Sequence, residues 1–159
     1  MTNVSPKLRL EIEDLYARYA ALLDEGPLDQ WPSLYFESGS YRAVTAENVK
    51  RGWALALILC ESRAAIEDRV YAIANLSMTI PRRIRHAISG FVVEPERDAW
   101  KVGANFAMFE TVEGQQTVCF AAGRYHDVVA RDTNGSLRFR EKLSICDGAL
   151  IRNSLVYPL

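Results

Sequence analysis

An α+β domain is predicted by three observations. Helical periodicity organises the first half of the chain, apolar–polar alternation organises the second, and hairpin signals separate the alternating runs. A curved antiparallel sheet folded over N-terminal helices would form a cone with an internal cavity. The chain has 159 residues, a length at which roughly 70% of the unfolded surface is buried on folding, so a core forms without staples. No linker, internal repeat or low-complexity segment interrupts it, and residues 1–159 are read as one domain.

The elements follow in order. Ser5 and Pro6 open a helix as N-cap and first-turn proline. Leu8, Ile12, Leu15, Tyr19 and Leu22 recur at steps of four and three, which is one helical face. The sequence Asp24-Glu25-Gly26-Pro27 stops it. A short helix with Leu28, Trp31 and Leu34 on one side follows, held to one or two turns by Pro32. Ser38-Gly39-Ser40 is turn material, and residues 41–45 form a short strand. The apolar run at residues 53–61 suits strand or helix and is read as a strand. Residues 62–75 form a helix capped by Ser62, with Ala65, Ile66, Val70 and Ile73 as its buried stripe. Residues 76–81 connect it to the sheet. Strands are expected at 85–94, 101–112, 116–131 and 137–145, separated by turns at 95–98, at Glu113-Gly114 and at 132–135, where Asn134-Gly135 is a strong hairpin signal. Val102, Ala104, Phe106 and Met108 share one face of the second of these. In the last, Leu137, Phe139, Leu143 and Ile145 face one way and Arg138, Arg140, Lys142 and Ser144 the other. Residues 151–159 are a final strand or an extended tail.

Composition excludes several classes. The net charge is −1, which argues against nucleic acid as the main partner, because that binding rests on neutralising phosphates. The start of the chain has no apolar run of the signal-peptide kind. The longest apolar stretch, residues 53–60, is far shorter than the ~20 residues of a membrane-spanning helix. A soluble, cytoplasmic chain without membrane partners is expected. Three scattered cysteines, Cys60, Cys119 and Cys146, form neither a disulfide framework nor a zinc motif and are read as small core hydrophobes.

No glycine-rich phosphate loop, nucleophile elbow or zinc-protease motif is present. A cone cavity could still carry proton abstraction by a histidine or carboxylate base with a tyrosine as donor, and Tyr16, Asp24, Tyr41, His86 and Tyr125 are the candidates. The bland alternative for His86 and His126 is a satisfied structural histidine, and for Tyr16 a core aromatic. The densest basic cluster, Arg82, Arg83 and Arg85, is a candidate subunit interface, because arginine forks bind carboxylates across partner surfaces; ordinary solvated surface is the alternative.

Four blocks, LDEGPLDQWPSLYFESGSYRAV, EDRVYAIANLS, RIRHAISGFVVE and LRFREKLSICDGALIRNSLVYPL, stand in an order that resembles the small (β) subunits of aromatic-ring-hydroxylating dioxygenases. The likeness is greatest to the terephthalate dioxygenase and salicylate hydroxylase small subunits. It departs from longer family members at residues 75–81 (NLSMTIP), where those carry aromatic and acidic residues.

The resemblance implies a cone of the nuclear-transport-factor-2-like or scytalone-dehydratase-like kind. It implies a homotrimer within an α3β3 hexamer. The partner α subunit would carry a Rieske [2Fe–2S] centre and a mononuclear Fe(II), fed by a reductase or ferredoxin. No cofactor is expected in this chain. A Rieske centre takes two histidines and an oxygenase iron two more, whereas this chain has two in all. The resulting expectation is a non-catalytic structural subunit of an oxidoreductase acting in aromatic compound catabolism. A free-standing isomerase or dehydratase, and a small-molecule binding protein of the same cone fold, are the alternatives.

Overall fold

A computed structural model describes residues 4–77, 80–152 and 154–159. Helix α1 (Pro6–Asp24) starts where Ser5 Oγ accepts the Leu8 N–H at 3.2 Å. A 3₁₀ segment (Leu28–Leu34) carries Pro32 and leads into β1 (Tyr35–Thr45). Helix α2 (Ala46–Arg51), the short strand β2 (Ile58–Cys60) and helix α3 (Arg63–Asn75) follow. The strands β3 (Arg82–Glu96), β4 (Ala99–Val112), β5 (Val118–Arg131) and β6 (Leu137–Cys146) complete the regular structure of the described residues.

The six strands lie in the order β2-β1-β6-β5-β4-β3. The last four form the expected antiparallel meander, but β1 runs parallel to β6, so the sheet is mixed. Helix α1 lies against the concave face. Its Ile12, Leu15, Tyr16, Tyr19 and Leu23 are buried, and they meet Val102, Ala104, Phe106 and Met108 of β4 in one apolar core. Among the described residues, no helix is long and apolar enough to cross a membrane.

Several elements differ from the sequence expectation. Ser38-Gly39-Ser40 does not turn the chain; it is an irregularity inside β1, where pairing with β6 shifts between Tyr35 and Ser40. A Cβ on Gly39 would lie 2.9 Å from the carbonyl oxygens of both Phe36 and Phe139. Glycine is there for close backbone approach, which a local pattern reads as a turn. Of the apolar run 53–61 only Ile58–Cys60 is strand, and Trp53, Leu55, Leu57 and Leu59 are exposed. Helix α2 was not foreseen, although Thr45 caps it, Glu47 and Lys50-Arg51 suit its ends, and Gly52 closes it at φ +68°. Cys60 and Cys146 are buried, whereas Cys119 is exposed. In α3 only Ile66 of the expected stripe is fully buried. The connection after α3 includes residues 78 and 79, which lie outside the described residues.

The largest departure is in β6. Val128 pairs with Glu141 and the next residue, Val129, with Phe139, so Arg140 is an extra residue in a bulge. A one-residue bulge inverts the alternation beyond it. Phe139 faces the core as expected, but Lys142 and Ser144 then face it too, 1% and 0% exposed. Residues 151–159 form an extended tail whose last residue, Leu159, is fully buried.

Candidate functional site

Two polar systems sit inside the cone. The first joins the end of α1 to β3. Asp24 Oδ2 accepts the His86 backbone N–H at 2.8 Å, and Asp24 Oδ1 lies 2.6 Å from His86 Nδ1. The two side chains are 3% and 0% exposed. A carboxylate on Nδ1 leaves Nε2 as the free nitrogen, and His86 Nε2 is buried without a partner. The Tyr19 ring stands edge-on to the imidazole at 6.3 Å.

The second system is an ion pair at the centre. Lys142 Nζ lies 3.0 Å from Asp127 Oδ2, and both side chains are fully buried. Asp127 also accepts the Tyr16 hydroxyl, and its Oδ1 accepts the Leu143 N–H at 2.9 Å. Aromatic rings surround the ammonium: Tyr125 at 3.2 Å from Nζ to the ring centroid, Tyr19 at 4.3 Å, Tyr16 at 4.9 Å and Phe139 at 5.1 Å. Their negative faces stabilise a cation that has left water. Burial still dominates: it pulls the Lys142 pKa down to about 8 and, against the attraction of Lys142, raises that of Asp127. Burial likewise raises the Tyr16, Tyr19 and Tyr125 hydroxyls well above their ordinary value.

The tail closes the cone from the side of β1. The Leu159 carbonyl oxygen accepts from Tyr19 Oη at 2.5 Å, Ser144 Oγ at 3.1 Å and Tyr41 Oη at 3.4 Å, while its N–H donates to Tyr41 Oη at 2.8 Å. Arg69 of α3 donates to the carbonyls of Val156 and Leu155 at 2.7 and 3.2 Å.

All five candidate pocket residues therefore lie in the interior. Asp24 and His86 touch, the Tyr16 and Tyr125 rings are 5.9 Å apart, and Tyr41 stands apart beside Trp31 and Leu159. An imidazole–carboxylate pair with a free Nε2 is the make-up of a general base. Here it is closed off among core side chains. Sequence reasoning missed Asp127, Lys142 and Tyr19 as parts of the polar core. Tyr19 was assigned to the helix's apolar face, and alternation put Lys142 on the solvent side.

Each arginine of the basic cluster has a different setting. Arg82 meets Glu110 at 2.6 Å with side chains 12% and 7% exposed, whereas Arg85 meets Glu25 at 2.7 Å with both 66% exposed. Arg83 is exposed and lines a groove of about 530 Å³ with Pro81, Arg82, Thr111 and Glu113. The expected solvated stripe also carries bonds: Arg138 holds Asp132 and the Ser33 carbonyl, and Arg140 holds Asp98. Among the described residues, no three His, Cys, Asp or Glu side chains cluster as metal ligands would.

Comparison with known proteins bears out the resemblance read from the sequence. The SnoaL-like domain model matches residues 7–142. The small subunit of anthranilate 1,2-dioxygenase from Burkholderia cepacia is 27% identical, with all of both chains covered. A β subunit of the terminal oxygenase component of terephthalate 1,2-dioxygenase from Comamonas sp. is 26% identical over 94% of this chain and 97% of its own. Among solved structures, the β subunit of a candidate aromatic-ring-hydroxylating dioxygenase from Novosphingobium aromaticivorans superposes with a TM-score of 0.86 and 28% identity, covering 96% of this chain and 97% of that one.

Proposed function

From the premise that this chain belongs to the SnoaL-like domain family, we propose that it is the small, non-catalytic subunit of an aromatic-ring-hydroxylating oxygenase. The carrying observation is the end-to-end likeness to dioxygenase small subunits, at 26–28% identity with 94% or more of each chain covered. The cone interior supports the same reading. A substrate cavity needs open volume beside its acid–base groups, whereas Tyr16, Tyr19, Tyr125, Phe139 and Lys142 fill the space around these with their own rings and charge.

In this reading the chain forms a homotrimer in the cytoplasm and supports three large subunits as α3β3. The large subunit holds the Rieske centre and the mononuclear iron and performs aromatic ring oxidation. This chain contributes surface. Its outer sheet face exposes Phe109 opposite Arg85, and Val92 farther along β3, a mixture of apolar and arginine contacts that suits a subunit interface. The Asp24–His86 pair is the one feature that favours a free-standing isomerase or dehydratase, and the closed setting of both side chains argues for a structural tie between α1 and β3.

The test is co-expression of the tagged chain with a ring-hydroxylating large subunit. The coloured iron–sulfur subunit is expected to co-purify. The chain expressed alone is expected to be colourless, without stoichiometric iron, and to scatter light as a trimer. Tightly bound iron in the lone chain, or a folded monomer that captures no large subunit, would overturn the proposal.

A further inference from the structure

The longest apolar run of the sequence, residues 53–60, is spent largely on solvent. Trp53, Leu55, Leu57 and Leu59 are exposed at every second position, and Ile58 and Cys60 turn inward. A half-buried strand ordinarily puts its polar residues outward. Here the outward set is the large apolar one, and Val49 of α2 is exposed as well. Together these five expose on the order of 500 Å² of apolar side chain, at the upper end for a monomer's largest patch and, with its rim, near the ~800 Å² each partner gives a standard interface. Strand β2 also ends the sheet order, and residues 52–60 contain no charged side chain, although edge strands left bare are normally guarded by charge. The Arg51 guanidinium stands 4.8 Å above the Trp53 ring and helps fix the indole as an anchor.

A second under-covered surface lies on α3. Of its expected stripe only Ile66 is fully buried; Ala65, Val70 and Ile73 are half-buried. Between α3 and the 3₁₀ segment runs a groove of about 310 Å³, lined by Asp29, Pro32, Glu67, Val70, Tyr71 and Ala74. It has room for an indole ring. The two surfaces carry opposite charges. The apolar run is accompanied by Lys50 of α2 and by Arg42, the cross-strand partner of Leu59. Arg51 is taken by Glu47 at 2.8 Å, whereas among the described residues Arg42 and Lys50 meet no carboxylate. The groove carries Asp29 and Glu67, and Glu67 meets Arg63 only at 3.5 Å.

We propose that residues 53–59 of one copy dock into the α3 groove of the next, with Trp53 filling the groove and Arg42 and Lys50 facing Asp29 and Glu67. Run and groove are different surfaces, so the contact is head-to-tail, the kind that closes into rings. The inference rests on the homotrimer of the proposed function and supplies its interface. It leaves the outer sheet face around Phe109 to the large subunit.

The test follows the lone chain by sedimentation velocity across a dilution series, with circular dichroism to confirm folding. Leu55→Gln with Leu59→Gln should raise the concentration at which the trimer half-dissociates by at least about tenfold. Arg42→Glu with Lys50→Glu should do the same, and adding Asp29→Lys and Glu67→Lys to that chain should restore most of the loss, because every contact then carries the reversed pair. Phe109→Gln should leave the trimer intact. A parent chain that is itself monomeric sinks the homotrimer, and this contact with it. A parent trimer that the folded variants leave unchanged sinks this contact alone, and so does trimer loss in Phe109→Gln but not in the others. Should the leucine variant misfold, the charge reversals decide, and weakening without recovery would place the run against a surface other than the groove and overturn the pairing. Variants that stay trimeric but no longer retain the iron-bearing large subunit would give the run to that subunit instead.

Discussion

Replacing Asp127 by asparagine removes the carboxylate that Lys142 meets at 3.0 Å in a fully buried pair. At that distance and an effective dielectric near 20, the Coulomb attraction is about 5–6 kcal/mol. Desolvation of the two ions cancels much of it, so the pair adds little relative to an apolar replacement. Removing one partner is different. The desolvation of the other charge then has no compensation, and the measured cost of such changes is about 3–5 kcal/mol. For a domain of this size each kcal/mol moves the melting temperature by roughly 2–4 °C, so Asp127→Asn should melt roughly 6–20 °C lower. Lys142→Met should lose less, about 1–3 kcal/mol, because Asp127 keeps the Tyr16 and Leu143 donors and methionine refills the space between the rings. Scanning calorimetry with urea titration at pH 7 reads both. A loss under about 1 kcal/mol for Asp127→Asn would refute the buried pair.

The same pair has a pH signature. Burial pulls the Lys142 pKa from its ordinary 10.5 to about 8. Between those values the unfolded chain still holds a proton that the folded chain has released. Folding therefore gains from rising pH, by at most about 1.4 kcal/mol per pH unit. The stability difference between the parent chain and Lys142→Met should grow in the parent's favour from pH 8 to pH 10. A flat or falling difference would place the lysine in water.

Two further outcomes test the fold and the basic cluster. Gly123→Ala should abolish folding or cost more than about 3 kcal/mol in urea titration, since a Cβ there would lie 1.9 Å from the Ile145 carbonyl oxygen across the β5–β6 pair. Arg82→Ala should cost about 3 kcal/mol by leaving Glu110 buried and unpaired, whereas Arg85→Ala should change the stability of the lone chain by less than about 1 kcal/mol, so that any loss of trimer or α–β association in that variant reports an interface.

Regular stretches of the fold were legible because local chemistry and global packing agree there. The Ser5 and Ser62 caps, the turns at Gly114 and Gly135, and the alternation of Val102, Ala104, Phe106 and Met108 carry their meaning within a few residues. The polar core was half legible. Asp24, His86 and three tyrosines could be named as residue types suited to a cavity. Lys142 and Asp127 could not be paired, because their side of the sheet depends on the bulge at Arg140, and that bulge exists through strand pairing rather than any local signal. Gly90 acts similarly in β3. Pairing with β4 shifts between Ser89 and Val92, so Ile84 and His86 face the core before the bulge and Val93 after it, while Val92 turns outward.

These two bulges connect local sequence to the character of the interior. Without the one in β6, Leu143 and Ile145 would point into the cone and Lys142 and Ser144 out of it, giving an apolar chamber with no cation and one hydroxyl fewer for the tail. The bulge exchanges that chamber for an ammonium among four rings and a third donor to Leu159. Filling the cone this way fixes α1, β5, β6 and the tail to one another through directional bonds, and a buried polar network is satisfied in few arrangements. Rigidity of that kind suits a subunit whose work is done by its outer faces.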